Sequence, residues 1–531
     1  MRFAARRSVD LKKIISAILA VLIILAVLAG CADKNKITLY AYVGGRATSL
    51  DPTLCTTKAE QTYIANLYSG LYSYTYGEDG LPVLVPEDAE DLPDVRVLEG
   101  GLYELTFRLK EGLLWSNGEP VTPEDYVYSW NRAAKNLVYT DKSYLFSLID
   151  GYESFVEYEE DAKLNMSYDN GKRSFCVVVK EDSERFLGYT TETPMFPVSR
   201  IALRDSDDWD VFAEDFASNG RYTLGSLDKD SLTVVKNERY RDAENTSADS
   251  IKFFFDIDEA EKAYDKGKLT FAKLDTDTSL MLNKTSQTVC ASGYISFNGE
   301  DSALGAYTDE EKAKIRRAIS VYVAISGAFS DGSESEPALV PCLKKGDHLS
   351  NMTEEYADSL LADVAATSGR FTSQDGRVYE FPILTAINAD REKEQKRWSR
   401  ISSYLSEQGI SLQTVNCTWE EFLLARTNGE YSMLFNSWTY NSLSAGELLS
   451  LFRSDSIYND TMSEVVKGGI YDSAVLVRIS DTDKANEKYA DALALLEESA
   501  LVFPVINAYV DFYSSDADKY CLSEDGIVRF K

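Results

Sequence analysis

The sequence has 531 residues, and a chain of this length is expected to fold as two or three domains. An apolar content of 44% with only 12 prolines is typical of a packed globular protein and argues against a disordered one. The formal net charge of -31 would repel phosphate backbones, so the composition argues against nucleic-acid binding, and a solvated acidic surface accounts for it.

The N-terminal segment is typical of a secretory signal. Residues 1–13 are basic, and residues 14–30 form an apolar run just short of the ~20 residues that span a bilayer comfortably. The run ends in LAGC, which resembles a bacterial lipobox and implies cleavage before Cys31 and lipidation of its sulfur. An uncleaved anchor is the alternative. Both interpretations place the remaining chain outside the membrane on a tether.

The next clear elements are a strand and a helix. Residues 103–110, YELTFRLK, alternate apolar and polar side chains, which predicts a half-buried strand. Gly118 suits a tight turn, Thr122 is a helix N-cap, and Pro123 fits the first helical position. Apolar residues then recur at helical spacing as far as Leu137. The two carboxylates after the proline are therefore predicted to cap the helix rather than to form an acid/base pair.

Helices and strands continue to alternate further along the chain. TDEE at 308–311 is a capping box before a helix, and residues 391–409 predict a helix that ends at a glycine. Residues 410–416 alternate as in a strand. Residues 485–499 predict a helix, and residues 501–513 are extended and apolar. The fold class is therefore α/β or α+β.

Most catalytic motifs are missing. The single histidine, His348, lies in a loop-like segment and excludes a His-rich metal or haem site. No GxSxG, GxxxxGK[ST] or GxGxxG motif occurs. With 86 Asp and Glu residues, a pair able to hydrolyse glycosides cannot be picked out by sequence. We predict no enzyme, no metal and no cofactor.

The cysteines beyond the lipobox have no metal-like spacing. The sequence leaves both disulfides and buried free thiols open, and six cysteines allow 15 pairings. They are Cys55, Cys176, Cys290, Cys342, Cys417 and Cys521.

Several segments occur in an order that resembles one known family. They are SLDPTLCTTKAEQTYIANLYSGLYSY at 49–74, YELTFRLKEGLLWSNGEPVTPEDYVYSWNRA at 103–133, SNGRYTLGSLDKDSLTVVKNERY at 218–240, AYDKGKLTFAKL at 263–274, KIRRAISVYVAI at 314–325 and TWEEFLLARTNGEYSMLFNSWTYN at 418–441. Together they resemble the family 5 extracellular solute-binding proteins, the oligopeptide- and dipeptide-binding lipoproteins of ABC importers. The resemblance covers about residues 36–531.

The resemblance implies a two-lobed clamp like that of periplasmic binding proteins. This is an α/β fold of mixed sheets flanked by helices, with an extra subdomain in the first lobe. After the signal peptide at 1–30, lobe I is expected to begin at 36–76, to carry an inserted subdomain at 77–212, and to continue at 213–290. Lobe II is expected at 291–489, and the chain then returns to lobe I at 490–531.

The implied function is capture of a peptide-like ligand between the lobes and delivery to an ABC permease and ATPase complex. The protein is predicted to be a monomer, held by lipid at Cys31 on the extracellular or periplasmic side of a bacterial membrane. Alternatives are a non-peptide solute such as an oligosaccharide or an opine-like amine, a peptide-sensing receptor, or a carboxylate-dependent extracellular hydrolase.

The resemblance also implies candidate ligand contacts. Trp438 would form a wall of the site, and Asn441 would hydrogen-bond the ligand where peptide-binding members have an aspartate for the α-ammonium. Trp419 and Arg426 match positions that line the cleft, and Tyr440 is a further candidate. Structural alternatives are core packing for Trp438, a loop cap for Asn441 and a surface helix charge for Arg426.

Overall fold

The structure is a computed structural model. It describes residues 36–55, 57–78, 80–140, 142–205, 210, 216–274, 284–330, 337–340, 343, 352–368, 384–389, 392–440, 444–456, 458–522 and 526–531. The predicted signal segment with Cys31, the lone histidine His348, Cys342 and Asn441 lie outside these residues.

The strands within these residues are as follows: β1 (Thr38–Tyr42), β2 (Tyr72–Tyr76), β3 (Pro82–Pro86), β4 (Asp94–Val97), β5 (Tyr103–Arg108), β6 (Met166–Asp169), β7 (Ser174–Val179), β8 (Tyr222–Leu227), β9 (Ser231–Lys236), β10 (Ser250–Phe254), β11 (Phe271–Leu274), β12 (Ser286–Phe297), β13 (Leu384–Ala389), β14 (Leu412–Cys417), β15 (Met433–Thr439), β16 (Val502–Ser514), β17 (Tyr520–Leu522) and β18 (Val528–Phe530).

The α-helices are α1 (Lys58–Leu67), α2 (Pro123–Leu137), α3 (Tyr144–Ser147), α4 (Glu153–Val156), α5 (Glu184–Tyr189), α6 (Arg200–Asp205), α7 (Ile257–Asp265), α8 (Asp309–Ile325), α9 (Glu354–Ser368), α10 (Glu392–Glu407), α11 (Trp419–Asn428), α12 (Ala445–Leu449), α13 (Ile470–Val475) and α14 (Ala485–Glu498). Short 3₁₀ helices occur at Glu99–Gly101, Asn170–Lys172, Thr193–Met195, Ala243–Asn245, Ser302–Leu304, Ser450–Phe452, Ile479–Lys484 and Ala517–Lys519.

The helix starts follow the predicted capping residues. The Thr122 side chain accepts a hydrogen bond from the backbone of Asp125, whose carboxylate bonds back to the cap, and α2 runs as predicted to Leu137. Thr308 and Glu311 form the same reciprocal pair at the start of α8. These bonds satisfy backbone N–H groups that the first helical turn leaves without partners.

One mixed sheet of ten strands extends through the molecule in the order β14-β13-β15-β12-β16-β11-β1-β10-β9-β8. Strand β1 is parallel to both β10 and β11, whereas β12 is antiparallel to both β15 and β16. A separate four-stranded sheet has the order β4-β5-β7-β6. The predicted α/β class with mixed sheets flanked by helices is confirmed.

The two largest hydrophobic cores of the described residues are formed by different parts of the chain. The first is formed mainly by side chains between Leu39 and Phe271, and we call the portion of the chain around it the first lobe. The second is formed by side chains from Tyr294 to Val505, and it defines the second lobe. Side chains of 492–505, which the sequence assigned to the final segment of lobe I, pack in this second core. The predicted domain limits stay a prediction.

Strands β12 and β16 join the two lobes. They are 12 and 13 residues long and pair along most of their length, from Ser286 opposite Phe512 to Ser296 opposite Val502. The register shifts twice, between Val289 and Ala291 and between Gly293 and Tyr294. Such bulges bend and twist a strand pair locally.

No disulfide links the cysteines that the structure describes: Cys55, Cys176, Cys290, Cys417 and Cys521 are free thiols. Among the described helices, none combines the length and the apolar character that a bilayer crossing requires.

Candidate ligand-binding cleft

A cavity of about 370 Å³ lies between the two lobes. The first lobe lines it with side chains from residues 143–152 and 181–189. The second lobe lines it with Trp438 and with side chains from residues 447–458. We call it the interlobe cavity. A space walled by two lobes becomes enclosed when the lobes approach each other.

Aromatic rings form much of the wall. Tyr144 and Tyr189 of the first lobe meet edge to face, with ring centroids 5.2 Å apart. Trp438 of the second lobe, at the end of β15, makes a similar contact with Tyr458 at 6.4 Å. Trp438 also packs against the second core. Large rings with a polar edge can both stack on a planar group and hydrogen-bond it.

Charged groups on the same wall are paired with one another across the lobes. Glu181 accepts a hydrogen bond from Arg185 at 2.8 Å, one helical turn along its own segment. It also accepts one from Arg453 of the second lobe at 2.7 Å. Arg453 donates in addition to Asp455 at 2.9 Å. The side chains of Glu181 and of both arginines are largely shielded from solvent, which strengthens these ion pairs.

A buried carboxylate next to this wall makes a second contact between the lobes. Glu184, the first residue of α5, accepts hydrogen bonds from the hydroxyls of Tyr74 at 3.2 Å, Ser444 at 3.2 Å and Tyr489 at 2.7 Å. Its backbone N–H donates to the carbonyl of Val477 at 2.7 Å. Burial raises the pKa of Glu184, and the three hydroxyl donors oppose that effect. We call these five residues the Glu184 junction.

Of the residues proposed from sequence, Trp438 lines the interlobe cavity, whereas Arg426 is placed elsewhere. The Arg426 guanidinium forms an ion pair with the buried carboxylate of Asp460 and donates to the Tyr458 carbonyl at 3.3 Å. Asp460 also accepts a hydrogen bond from Asn436 at 2.8 Å. The charge of Arg426 is thus neutralised inside the second lobe.

The other proposed residues are also away from the cavity wall or lie outside the described residues. Trp419, at the start of α11, is 53% exposed and stacks on Phe422 with ring centroids 5.5 Å apart. The Tyr440 hydroxyl donates to the Leu339 carbonyl at 2.9 Å, and it also bonds the Ser292 hydroxyl. Asn441 is not among the described residues.

Sequence reasoning missed the first-lobe side of the cavity and the arginine opposite it. Glu181 and Arg185 have the i, i+4 spacing of a helical ion pair, which was a usable signal. The partner Arg453 is 272 residues further along, and no local pattern marks it. Among the described residues, no cluster of three or more His, Cys, Asp or Glu side chains is placed to hold a metal ion.

A family model described as "Bacterial extracellular solute-binding proteins, family 5 Middle" matches residues 98–460, more than half of the chain. The chain belongs to this family. Its members are extracellular binding proteins, so the prediction that this family 5 protein is not an enzyme is confirmed.

Curated relatives of this family 5 protein share its length at low identity. The probable deoxycholate-binding periplasmic protein YgiS of Escherichia coli is 24% identical over 86% of both chains. A dipeptide-binding protein of Lactococcus lactis is 21% identical over 92% of both. The periplasmic oligopeptide-binding protein OppA of Escherichia coli is 21% identical over 94% of this chain and 93% of its own.

Solved structures have the same fold. The murein tripeptide-binding protein MppA in its unliganded open form superposes with a TM-score of 0.73 at 18% identity, covering 93% of this chain and 95% of MppA. A second MppA structure, from Escherichia coli, superposes with a TM-score of 0.54 and covers 93% of this chain and 96% of its own. A Haemophilus influenzae OppA complex with the peptide RPPGFSPFR also has a TM-score of 0.54, at 17% identity. The match covers 94% of this chain and 99% of the OppA chain.

Proposed function

We propose that this family 5 protein captures a peptide-like ligand between its lobes. The observation that supports this most is the interlobe cavity, whose aromatic and polar wall is divided between two lobes joined by a pair of long strands. An open arrangement leaves the cavity accessible, and closure about β12 and β16 would bury a ligand against both walls. The dipeptide- and oligopeptide-binding names of several relatives support the ligand class.

We further propose that the protein is tethered to the membrane through lipid on Cys31 and passes its ligand to an ABC permease and ATPase complex. The lipobox-like LAGC after an apolar run supports the tether. A Cys31→Ser variant should lose incorporation of labelled lipid and remain unprocessed at that site. Equal labelling of the wild type and the variant would refute lipidation.

The ligand is tested directly on the body of the protein, residues 32–531. Mass spectrometry of small molecules that co-purify with it should find peptides, and small-angle scattering should show a smaller radius of gyration when such a peptide is added. Recovery of only a sugar or a bile acid would replace the peptide with another solute. An unchanged radius of gyration at saturation would contradict closure of the lobes.

A further inference from the structure

A second cavity, of about 520 Å³, is lined by residues of the first lobe alone. Its lining comes from residues 135–139, at the end of α2, and from residues 155–162, at the end of α4 and in the loop that follows. It shares no lining residue with the interlobe cavity. Its volume is in the range of cavities that hold small molecules. We call it the tyrosine cavity.

Two tyrosine side chains in this lining are largely exposed. Tyr139 is 58% and Tyr158 77% exposed, and their rings stack with centroids 5.1 Å apart and an interplanar angle of 23°. The Tyr139 hydroxyl donates to the Val156 carbonyl at 2.9 Å, which holds its ring beside the loop. Phe155 is buried and adds a third aromatic side chain to the lining. Aromatic rings carry negative potential on their faces, so such a lining attracts cations.

The backbone at Tyr158 is strained in a way that the fold does not require. Helix α4 ends in a Schellman motif, in which the Glu159 N–H donates to the Ser154 carbonyl at 3.0 Å and the Tyr158 N–H to the Phe155 carbonyl at 3.3 Å. Tyr158 therefore lies in the left-handed region, at φ 58°, where glycine is usual. A bulky residue is an outlier there, and the exposed ring recovers little free energy by burial. The outlier indicates a use for the ring other than stability.

Negative charge surrounds the tyrosine cavity. Four exposed acidic residues follow α4, and none forms an ion pair with a residue that the structure describes: Glu157, Glu159, Glu160 and Asp161. Only two lysines, Lys135 and Lys163, lie on the same two segments, so the surrounding charge stays negative. The carboxyl end of α2 adds the partial negative charge of a helix terminus. The charge of the tyrosine cavity therefore complements a cation.

The chemistry of the lining favours one kind of cation. The acidic side chains are exposed to water, so they attract a positive charge without offering it a dry ion pair. An ammonium with N–H groups would lose hydrogen bonds to water against aromatic rings, and donors without acceptors are costly. A quaternary ammonium has no N–H to satisfy, and ring faces stabilise its charge. The lining thus fits a quaternary ammonium group best.

We propose that the tyrosine cavity is a second binding site, separate from the interlobe cavity, for a small organic cation with a quaternary ammonium group. Tyr139 and Tyr158 contact the head group, and Glu159 and Glu160 attract its charge. The site does not depend on which solute binds between the lobes, so its test is independent of the function proposed above.

Choline is the probe, and its matched control is the uncharged alcohol in which carbon replaces the nitrogen of choline. A ligand-observed NMR titration of the body, residues 32–531, should show saturable binding of choline and roughly tenfold weaker binding of the alcohol. A preference for choline of less than about 3-fold overturns the assignment to a cation. No saturable binding of choline up to about 10 mM overturns the proposal as a whole.

A glycine variant separates ligand binding from folding. Tyr158→Gly removes the ring and suits the left-handed backbone, so choline should bind about 3- to 10-fold more weakly and Tm should not fall. Tyr158→Phe keeps the ring and should bind choline as the wild type does. The matched control is Tyr168→Ala, which removes a 47% exposed tyrosine of β6 outside the lining and should leave the affinity unchanged. Unchanged affinity in Tyr158→Gly overturns the proposal, since choline would then bind elsewhere.

The charge of the loop is tested separately. Glu159→Gln combined with Glu160→Gln keeps the side-chain size and removes two carboxylates of the lining, so choline should bind about 2- to 5-fold more weakly. The loss should shrink as the salt concentration rises, because salt screens exposed charges. The control is Glu99→Gln, an exposed acid of the first lobe outside the lining, which should leave the affinity unchanged. Equal affinity in the double variant and the wild type would overturn the role of the acidic loop.

Discussion

Arg426 shows how one side chain can match a family position and still have a structural role. Its partner Asp460 is almost fully buried, and a buried carboxylate needs a countercharge or proton to be tolerated. The same carboxylate fixes Asn436 of β15, two residues before Trp438. The ion pair therefore supports the strand that carries the tryptophan of the interlobe cavity.

We expect Arg426→Gln to lower the free energy of unfolding by about 3–5 kcal/mol, since it leaves a buried charge without its partner. Urea unfolding followed by circular dichroism measures the change. The control is Lys396→Gln, which removes an exposed i, i+4 pair with Glu392 and should change stability by less than about 1 kcal/mol. If Arg426→Gln were as stable as the wild type and lost peptide binding, Arg426 would be a ligand residue instead.

At the scale of elements, β12 is confined by its two neighbours where its register shifts. A Cβ on Gly293 would lie 2.7 Å from a methyl carbon of Ile506 on β16 and 2.9 Å from the ring of Phe435 on β15. Only a residue without a side chain lets the three strands approach this closely. The close packing of β12 between β15 and β16 therefore depends on a glycine at this position.

Gly293→Ala should destabilise the protein by roughly 1–3 kcal/mol, because both neighbours have to move to admit a methyl group. Chemical denaturation is the measurement. Ala508→Ser, an exposed position on β16 in the same sheet, should change stability by no more than about 0.5 kcal/mol. A fully stable Gly293→Ala protein would mean that the strands have room to spread.

Helix α14 contains an acid whose burial makes stability depend on pH. Burial raises the pKa of Glu497 to about 7. The carboxyl of the unfolded chain titrates near pH ~4.5. Between that pH and pH ~7 the carboxyl is protonated in the folded state but ionised in the unfolded state. The free energy of unfolding therefore falls as pH rises through this window. With allowance for solvent screening, the fall is on the order of 2 kcal/mol. Glu497→Gln should remove this component of the pH dependence.

Urea unfolding at several pH values between 4.5 and 7.5 tests this. The neighbouring exposed Glu498, changed to Gln, serves as the control and should leave the profile of the wild type unchanged. If the free energy of unfolding changed with pH in the same way for the wild type and Glu497→Gln, the Glu497 carboxyl would be ionised in the folded protein over this whole pH range.

The elements that could be predicted are those whose causes are local. Thr122 and Asp125 cap α2 within one turn, and the alternation of residues 103–110 reflects a strand with one face in the core. The register shifts of β12 could not be predicted, since they depend on strands more than 130 residues away in sequence. The same limit applies to the site: Trp438 belongs to a local motif, whereas the Glu181–Arg453 pair exists only after the lobes have come together.

Across the described part of the molecule, the connections between the lobes include the strand pair β12 and β16, the Glu184 junction and the Glu181–Arg453 ion pair. The junction joins a buried first-lobe carboxylate to hydroxyls of the second lobe, so the lobes cannot separate there without leaving Glu184 short of donors. The junction therefore helps to set how far the interlobe cavity opens.

Ser444→Ala combined with Tyr489→Phe should loosen this contact and increase the radius of gyration of the unliganded protein in small-angle scattering. The control is Tyr471→Phe, which removes a buried hydroxyl that donates to the Leu449 carbonyl at 2.7 Å within the second lobe. The control should lower stability without changing the radius of gyration. An unchanged radius in the double variant would show that the Glu184 junction does not set the opening.

The contribution of residues 511–530 to the first lobe bears on the order in which the chain acquires its structure. Residues 511–514 of β16 pair with β11, Val528 and Phe530 are buried in the first core, and the Asn66 amide of α1 bonds the backbone of both. During synthesis from the N-terminus, α1 and β1 emerge more than 400 residues before these partners. The second lobe, whose core closes at Val505, is complete first. The first lobe thus remains an unfinished sheet until the chain has been made almost to Phe530.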